Sequence, residues 1–329
     1  MSQRSLELVV VAIDQQTPAI RTVTLAASDG ARLPSFPPGS HVVVDIPARA
    51  GRGRAGANAY SLVGDGVEPQ TYAISVLRCD PAEGGSGGSV WIHELTVGDR
   101  LTASGPRSAF APVQRAGKHL LIAAGIGVTP MLSHLRSAVR WGRDAELVYV
   151  FRDGHGAHVD ELKDIGGDRV TFAHERATFA EHLEGLVSAQ PIGTHLYVCG
   201  PGGFMGLVLD TARAAGWPQS RLHSEPFGLA DLDPGDPFTV TVGHRELAVA
   251  AGTSLLEALE EAGYAVPNLC RQGVCGECRV QVVPATSTGI LHRDLYLTDD
   301  DKRSGDCVMA CVSRALPDPT GRAHLEVIV

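Results

Sequence analysis

The sequence predicts a multidomain protein in three parts: an antiparallel β-barrel, an α/β domain on a parallel sheet, and a small α+β domain of β-grasp type. Three observations predict it. Residues 1–112 carry short alternating runs separated by turn residues. Residues 113–228 alternate strand-like and helix-like patterns, and residues 237–329 set a hairpin and a helix beside a loop of cysteines.

In the first part LELVVVAI (6–13), VTLAA (23–27), HVVVDI (41–46) and TYAISVLR (71–78) read as strands. PSFPPGS (34–40), RAGRGRAGAN (49–58) and DPAEGGSGGS (80–89) read as loops, because Pro and Gly break regular structure. Regularly spaced short strands suggest an antiparallel barrel. In the second part HLLIAA (119–124) is a strand, followed by a glycine turn and a helix from near Met131. ELVYVF (146–151) and HLYVCG (195–200) continue the alternation, which requires parallel strands with crossovers. A linker over 229–236, dense in Asp, Pro and Gly, leads to the third part. There FTVTV (238–242) and ELAVAAG (246–252) form a hairpin. TSLLEALEEAG (253–263) is an amphipathic helix with Thr253 as N-cap, Leu255, Leu256 and Leu259 facing inward, and Gly263 ending it.

Composition excludes several functions. Of 329 residues 44% are hydrophobic and 20% charged, as in globular proteins, and this length suits two or three domains. A net charge of −9 excludes nucleic acid as a partner, since a phosphate-binding face needs a basic excess. No run reaches the roughly 18 apolar residues of a membrane span, and LELVVVAI is too short for an export signal. The seven cysteines are clustered rather than spread as a disulfide framework, which points to metal binding in a reducing compartment. Cys79 reads as a small apolar filler.

Cys270, Cys275 and Cys278 form C-x4-C-x2-C, and a fourth cysteine follows far downstream. That is the ligand spacing of a plant-type [2Fe-2S] cluster, whereas zinc sites usually pair two short C-x2-C units. Gly273 and Gly276 lie between the ligands, where the chain must coil with its N–H groups inward. For the fourth ligand GDCVMACVSRA offers Cys307 and Cys311. Cys311, after the apolar VMA run, is preferred.

Two glycine turns follow strands of the second part. AAGIGVTPM (123–131) opens a helix: Gly125 and Gly127 let the backbone approach a ligand, and Thr129 can cap the helix, whose free N–H groups suit a pyrophosphate. CGPGGFM (199–205) also ends a strand, so both turns fall at the carboxyl edge of one sheet, where open α/β folds bind ligands. Cys199, with Gly200 and Pro201, would face the reactive end of a bound nucleotide, or Cys199 is a buried strand-end thiol. In the barrel part Tyr60 offers a ring and Ser61 a hydroxyl to a flat cofactor. Gly85, Gly87, Gly88 and Ser89 can present N–H groups and a hydroxyl to a phosphate, with Arg78 as countercharge, although such a run is also a common flexible loop.

Taken together the chain resembles the phthalate dioxygenase reductase family over essentially its whole length. The resemblance rests on FPPGSHV (36–42), AYSL (59–62), GGSVWIH (87–93), PRSAF (106–110), GIGVTPM (125–131), CGPGGFM (199–205), HSEPFG (223–228), the cysteine loop, HRDLYLTD (292–299) and CVSRA (311–315). It implies a flavin-binding barrel, a nicotinamide-binding α/β domain and a C-terminal plant-type ferredoxin. The implied activity is that of an NADH-dependent flavin and iron–sulfur oxidoreductase, the reductase component of an oxygenase system. A stand-alone reductase of small-molecule or ferric acceptors, or a non-catalytic electron-carrier subunit, is the alternative.

By the same resemblance FMN is favoured over FAD, held by Tyr60, Ser61, Leu62, Arg78, Gly87, Gly88 and Ser89. NADH would be held by Gly125, Gly127, Thr129, Arg152, Asp153, Cys199, Gly200 and Pro201. An acidic group such as Asp153 after the second strand suits a free ribose 2′-hydroxyl. Ser61, Cys199 and Phe227 would surround the hydride-transfer centre. Asn58 stands where the family's R-x-Y-S motif has arginine, with Arg52, Arg54 or Arg78 available to compensate. The implied partner is a terminal oxygenase, either a Rieske non-haem iron enzyme or a haem monooxygenase, and the reductase would act as a monomer in the bacterial cytoplasm.

Overall fold

The structure, a computed structural model, describes residues 5–47, 56–80, 82, 87–108, 110–227, 234–268, 271, 273, 276–294 and 296–329. The chain divides into two compact units, the first built mainly from residues up to Phe227 and the second mainly from Gly228–Val329.

The first unit opens with β1 (Ser5–Thr17), β2 (Ile20–Ala27), β3 (His41–Ile46), β4 (Gly56–Ser61), β5 (Thr71–Leu77), a helix α1 (Gly88–Glu94) and β6 (Arg100–Ser104). These strands form one sheet in the order β4-β3-β6-β1-β2-β5. A bridge between Leu62 and Ile74 links the end of β4 to β5 and closes the barrel. Leu8, Val23, Leu25, Val42, Val44, Leu62 and Ile74, from alternate strand positions, fill it. β1 is half-exposed, and one expectation shifts: the GGS run ends in a helix instead of a loop.

A second sheet follows: β7 (Lys118–Ala124), α2 (Val128–Arg140), β8 (Ala145–Val150), α3 (Val159–Gly166), β9 (Val170–Ala173), α4 (Arg176–Ser188), β10 (Thr194–Cys199), α5 (Gly202–Ala214) and β11 (Leu222–Glu225). All pairs are parallel, in the order β11-β10-β7-β8-β9. The order reverses between β7 and β10, which makes that gap the switch point where such sheets bind ligands. Both sheets share a single apolar cluster. Ile20, Val63, Ala73 and Leu77 of the barrel part pack with Leu121, Val128, Met131, Leu135, Cys199 and Phe227. This shared core is why two segments with different sequence rhythms form one unit.

The second unit contains β12 (Phe238–Val242), β13 (Arg245–Val249), α6 (Leu255–Glu261), β14 (Arg279–Val282), β15 (Ile290–Leu291), α7 (Asp299–Ser304), β16 (Cys307–Met309), β17 (Arg314–Ala315) and β18 (His324–Ile328). A mixed sheet ordered β13-β12-β18-β14-β16 packs on α6, the β-grasp layout. Leu255, Leu256 and Leu259 are fully buried, as their spacing requires. The cap is one residue later than Thr253: Ser254 accepts the Glu257 N–H and the Glu257 carboxylate returns to the Ser254 N–H. This reciprocal box satisfies two donors that a lone threonine could not, and is worth about 1 kcal/mol.

Candidate functional site

The turn after β7 and the turn after β10 touch. A β-carbon on Gly127 would stand 2.7 Å from the Gly200 nitrogen, and closer still to the Cys199 carbonyl. Only glycine allows this approach. Gly125 has φ +55 and faces open space, so the first glycine serves a backbone turn and leaves room beside it. Residues Gly125–Gly127 form a 3-10 turn that runs directly into α2 at Val128, earlier than the expected start near Met131. Thr129 therefore lies inside the helix and does not cap it. Its buried hydroxyl donates to the Ile126 carbonyl at 3.0 Å and rigidifies the turn. The barrel strand β5 lies against the same turn.

Cys199 is fully buried at the end of β10, and its thiol donates to the Glu225 carbonyl at 3.1 Å across the parallel pair. Gly200 and Pro201 follow it, and Pro201 stands at the N-cap of α5. Phe227, half-buried, packs on the cluster that holds Cys199. Glu225 itself was not anticipated. It is 3% exposed, and its Oε2 has no hydrogen-bond partner among the described residues. Burial pushes its carboxyl up to about 8, so it carries a proton at neutral pH. The sequence signal was an acidic residue between a strand and a proline in HSEPFG.

On the barrel side β4 carries Tyr60, half-buried against the barrel core, and Ser61, buried beside it. Leu62 faces the core and closes the barrel, so it offers a ligand only its backbone. Arg78 is partly neutralised by Asp80, 3.0 Å away. The Ser89 hydroxyl accepts from the Cys79 N–H and donates to the Cys79 carbonyl. What Gly87, Gly88 and Ser89 can offer a phosphate is the N–H groups at the start of α1, which a helix leaves without intrahelical partners. Asn58 lies on β4, while Gly85, Arg52 and Arg54 fall outside the described residues.

Arg152 and Asp153 follow β8 at the carboxyl edge of the parallel sheet and are exposed. Asp153 faces His174 Nδ1 at 2.7 Å, with its side chain 87% exposed. Its carboxylate is thus aligned by a neighbour yet open to a ligand.

In the second unit Cys278 and Cys311 are buried, and the Ala310 N–H donates to the Cys278 carbonyl. Gly273 donates its N–H to the Cys311 sulfur at 3.2 Å. Gly273 has φ +71 and Gly276 φ +87, and a side chain at either would strike Val312 or Tyr296. A backbone N–H on a cysteine sulfur fits an iron–sulfur cluster, whose sulfurs accept such bonds. Cys307 points elsewhere. It sits in β16 opposite Gln281, and burial pushes its thiol up against the pull of Arg279. Cys270 and Cys275 lie outside the described residues.

An antiparallel barrel and a nucleotide-type parallel sheet, followed in the same chain by a plant-type ferredoxin, define a single-chain electron-transfer reductase. The comparisons agree. A 2Fe-2S iron-sulfur cluster binding domain matches residues 238–316, and the N-terminal domain of dimethylamine monooxygenase subunit DmmA-like proteins matches residues 100–222. The heme-dependent oxidative N-demethylase beta subunit of Ectopseudomonas mendocina is 41% identical over 95% of this chain and 97% of its own. The phthalate dioxygenase reductase of Burkholderia cepacia is 35% identical over 88% of each chain. A solved phthalate dioxygenase reductase, described as a modular structure for electron transfer from pyridine nucleotides to [2Fe-2S], superposes with a TM-score of 0.68 at 32% identity, covering 99% of this chain and 98% of its own. The chain belongs to the phthalate dioxygenase reductase family. It is an oxidoreductase, the reductase component of an oxygenase system. Among the described residues no helix is long and apolar enough to cross a membrane.

Proposed function

We propose that this chain takes a hydride from NADH onto FMN and passes the electrons singly through its [2Fe-2S] cluster to a terminal oxygenase. The observation that carries the reading is the contact of the Gly127 turn with Cys199 at the switch point, in one compact unit with Tyr60 and Ser61. When bound, the flavin supplies the exchange between two-electron and one-electron chemistry. The protein supplies position and charge. Gly125 and Gly127 admit the dinucleotide backbone at the start of α2, and Asp153 accepts a ribose hydroxyl. Cys199 and Phe227 wall the reacting end in apolar surroundings, and Ser61 offers its hydroxyl from β4. Glu225 holds a proton on a buried carboxyl and can donate a hydrogen bond there without adding charge. Cys270, Cys275, Cys278 and Cys311 hold the cluster, with Gly273 bonding the fourth sulfur.

The DmmA-like match and the N-demethylase relative both concern oxygenases of methylated amines. They favour an N-demethylating oxygenase as partner, in the bacterial cytoplasm where NADH is made, with one copy of the reductase acting alone. Anaerobic mixing with NADH should bleach the flavin and then the iron–sulfur absorbance, and heat-released flavin should keep its fluorescence after phosphodiesterase, as FMN does. A purified N-demethylase should then release formaldehyde with NADH consumption. NADH oxidation without bleaching of the cluster would overturn the reading.

A further inference from the structure

Away from the cleft, a chain of side chains, buried at Thr22, Ser75 and His158 and half-buried at Glu161 and Arg136, leaves the barrel, crosses α3 and α2, and returns to the barrel. Thr22 Oγ1 on β2 lies 2.8 Å from Ser75 Oγ on β5, and Ser75 Oγ lies 2.7 Å from His158 Nε2. His158 Nδ1 stands 3.2 Å from Glu161 Oε2, and Glu161 Oε1 takes Arg136 Nε at 2.8 Å. Arg136 Nη1 closes the circuit on the Val63 carbonyl at 2.8 Å. His158 is 6% exposed and Ser75 5%. His158 also holds the N-cap of α3 at φ +60, and its own N–H is taken by Gln16 Oε1 of β1 at 2.9 Å. Backbone and ring of this one residue therefore both bind the barrel.

Each group has a defined part. Burial pushes the Glu161 carboxyl up, but the His158 hydrogen bond and the Arg136 charge more than reverse this, so it is an ionised acceptor. A carboxylate only accepts, which makes His158 Nδ1 the donor. The sequence Ser75–His158–Glu161 has the order of a nucleophile relay, yet the Ser75 oxygen is buried and already held from the other side by Thr22. Its product is alignment. Val63 lies two residues beyond Ser61, and β5 lies against the Gly125–Gly127 turn. Arg136 is borne by α2, the helix that starts at that turn.

We propose that His158 is a positioning residue that locks the nucleotide sheet to the flavin barrel through Ser75 and, by way of Glu161 and Arg136, Val63, so setting the approach of nicotinamide to flavin. The proposal rests on the hydride-transfer reading above. Loss of the lock leaves the apolar cluster and the bonds from Ser133 to Gly64 and from His134 to Phe110 in place, so the unit stays folded but registers less accurately.

The test compares the parent with His158→Ala, Ser75→Ala and His158→Asn, each with full flavin and iron content. Anaerobic stopped-flow flavin reduction at saturating NADH should fall about tenfold or more in His158→Ala and Ser75→Ala, since misplacement near 1 Å costs up to about 100-fold. The dissociation constant of NAD+ should be unchanged and the long-wavelength charge-transfer absorbance weakened. His158→Asn keeps the positive φ and one polar link, and should recover part of the rate. Hydrogen exchange over residues 71–77 and 159–166 should quicken in the alanine variants, and the double variant should exchange no faster than either. Reduction within twofold of the parent, or unchanged exchange, overturns the lock. A parent that NADH does not reduce overturns the functional reading, while exchange still decides the lock.

Discussion

Gly127 and Cys199 are in backbone contact: a β-carbon on Gly127 would lie well under 3.0 Å from the Cys199 carbonyl. The two turns that frame the nucleotide cleft thus fit together only without a side chain at this point.

Gly127→Ala should therefore damage both stability and nucleotide use. The atoms it strikes are backbone and cannot swing aside, so overpacking of about 1–3 kcal/mol is expected. Gly125→Ala strikes nothing within 4 Å and suffers only its positive φ, about 1 kcal/mol. Thermal melts and NADH KM for the two separate these effects. The Gly127 variant should lose more stability, whereas the Gly125 variant should lose mainly NADH affinity. Equal melting temperatures would contradict the close approach.

Glu225 makes stability depend on pH. Its carboxyl is raised from 4.5 to about 8 in the folded protein, so between those values the folded state holds a proton that the unfolded state has released. The folded state binds more protons, hence stability falls as pH rises through this window, by up to a few kcal/mol at about 1.4 kcal/mol per unit. Below the unfolded value the contribution is complete, and it is lost as pH passes the folded value. Glu225→Gln should flatten the melting profile between pH 4.5 and 8 and raise stability at pH 9 relative to the parent. Parallel profiles would show that Glu225 is ionised.

Much of this was legible in the sequence, because it is local. The β-branched run in HVVVDI, the alternation in TYAISVLR, the two glycine turns and the C-x4-C-x2-C loop each state their structure within a few residues. Cap positions shifted because neighbours compete: Ser254 wins over Thr253 since Glu257 lies three residues beyond it. The bond of Ser89 to Cys79 spans a glycine run that reads as loop, so no local pattern shows it. Glu225 and His158 were invisible for a deeper reason. Their roles depend on burial and on partners such as Ser75, 83 residues away from His158, which no periodicity reveals.

Asp153 should govern cofactor choice without affecting the fold. It is 87% exposed and its His174 partner 49%, and exposed pairs contribute about 0–1 kcal/mol. Asp153→Ala should leave the melting temperature unchanged, lower kcat/KM for NADH about tenfold through KM, and narrow the preference over NADPH. Steady-state rates with both nucleotides check this. An unchanged NADH KM would place the ribose elsewhere.

The fourth cluster ligand separates Cys311 from Cys307 by direction as well as by sequence. The Cys311 sulfur receives the Gly273 N–H within the cysteine loop, whereas Cys307 lies in β16 opposite Gln281, beside Arg279. A β-strand turns successive side chains to opposite faces, but β16 ends at Met309, and Ala310 and Cys311 leave the strand, which re-aims the second thiol. Cys311→Ser should abolish the iron–sulfur visible absorbance and electron delivery to cytochrome c while sparing flavin reduction by NADH. Cys307→Ser should keep the cluster and lose only about 1–3 kcal/mol for a buried hydroxyl in an apolar strand. Loss of the cluster in Cys307→Ser with its retention in Cys311→Ser would reverse the assignment. The Gly273 amide would then be bonding a sulfur that carries no iron.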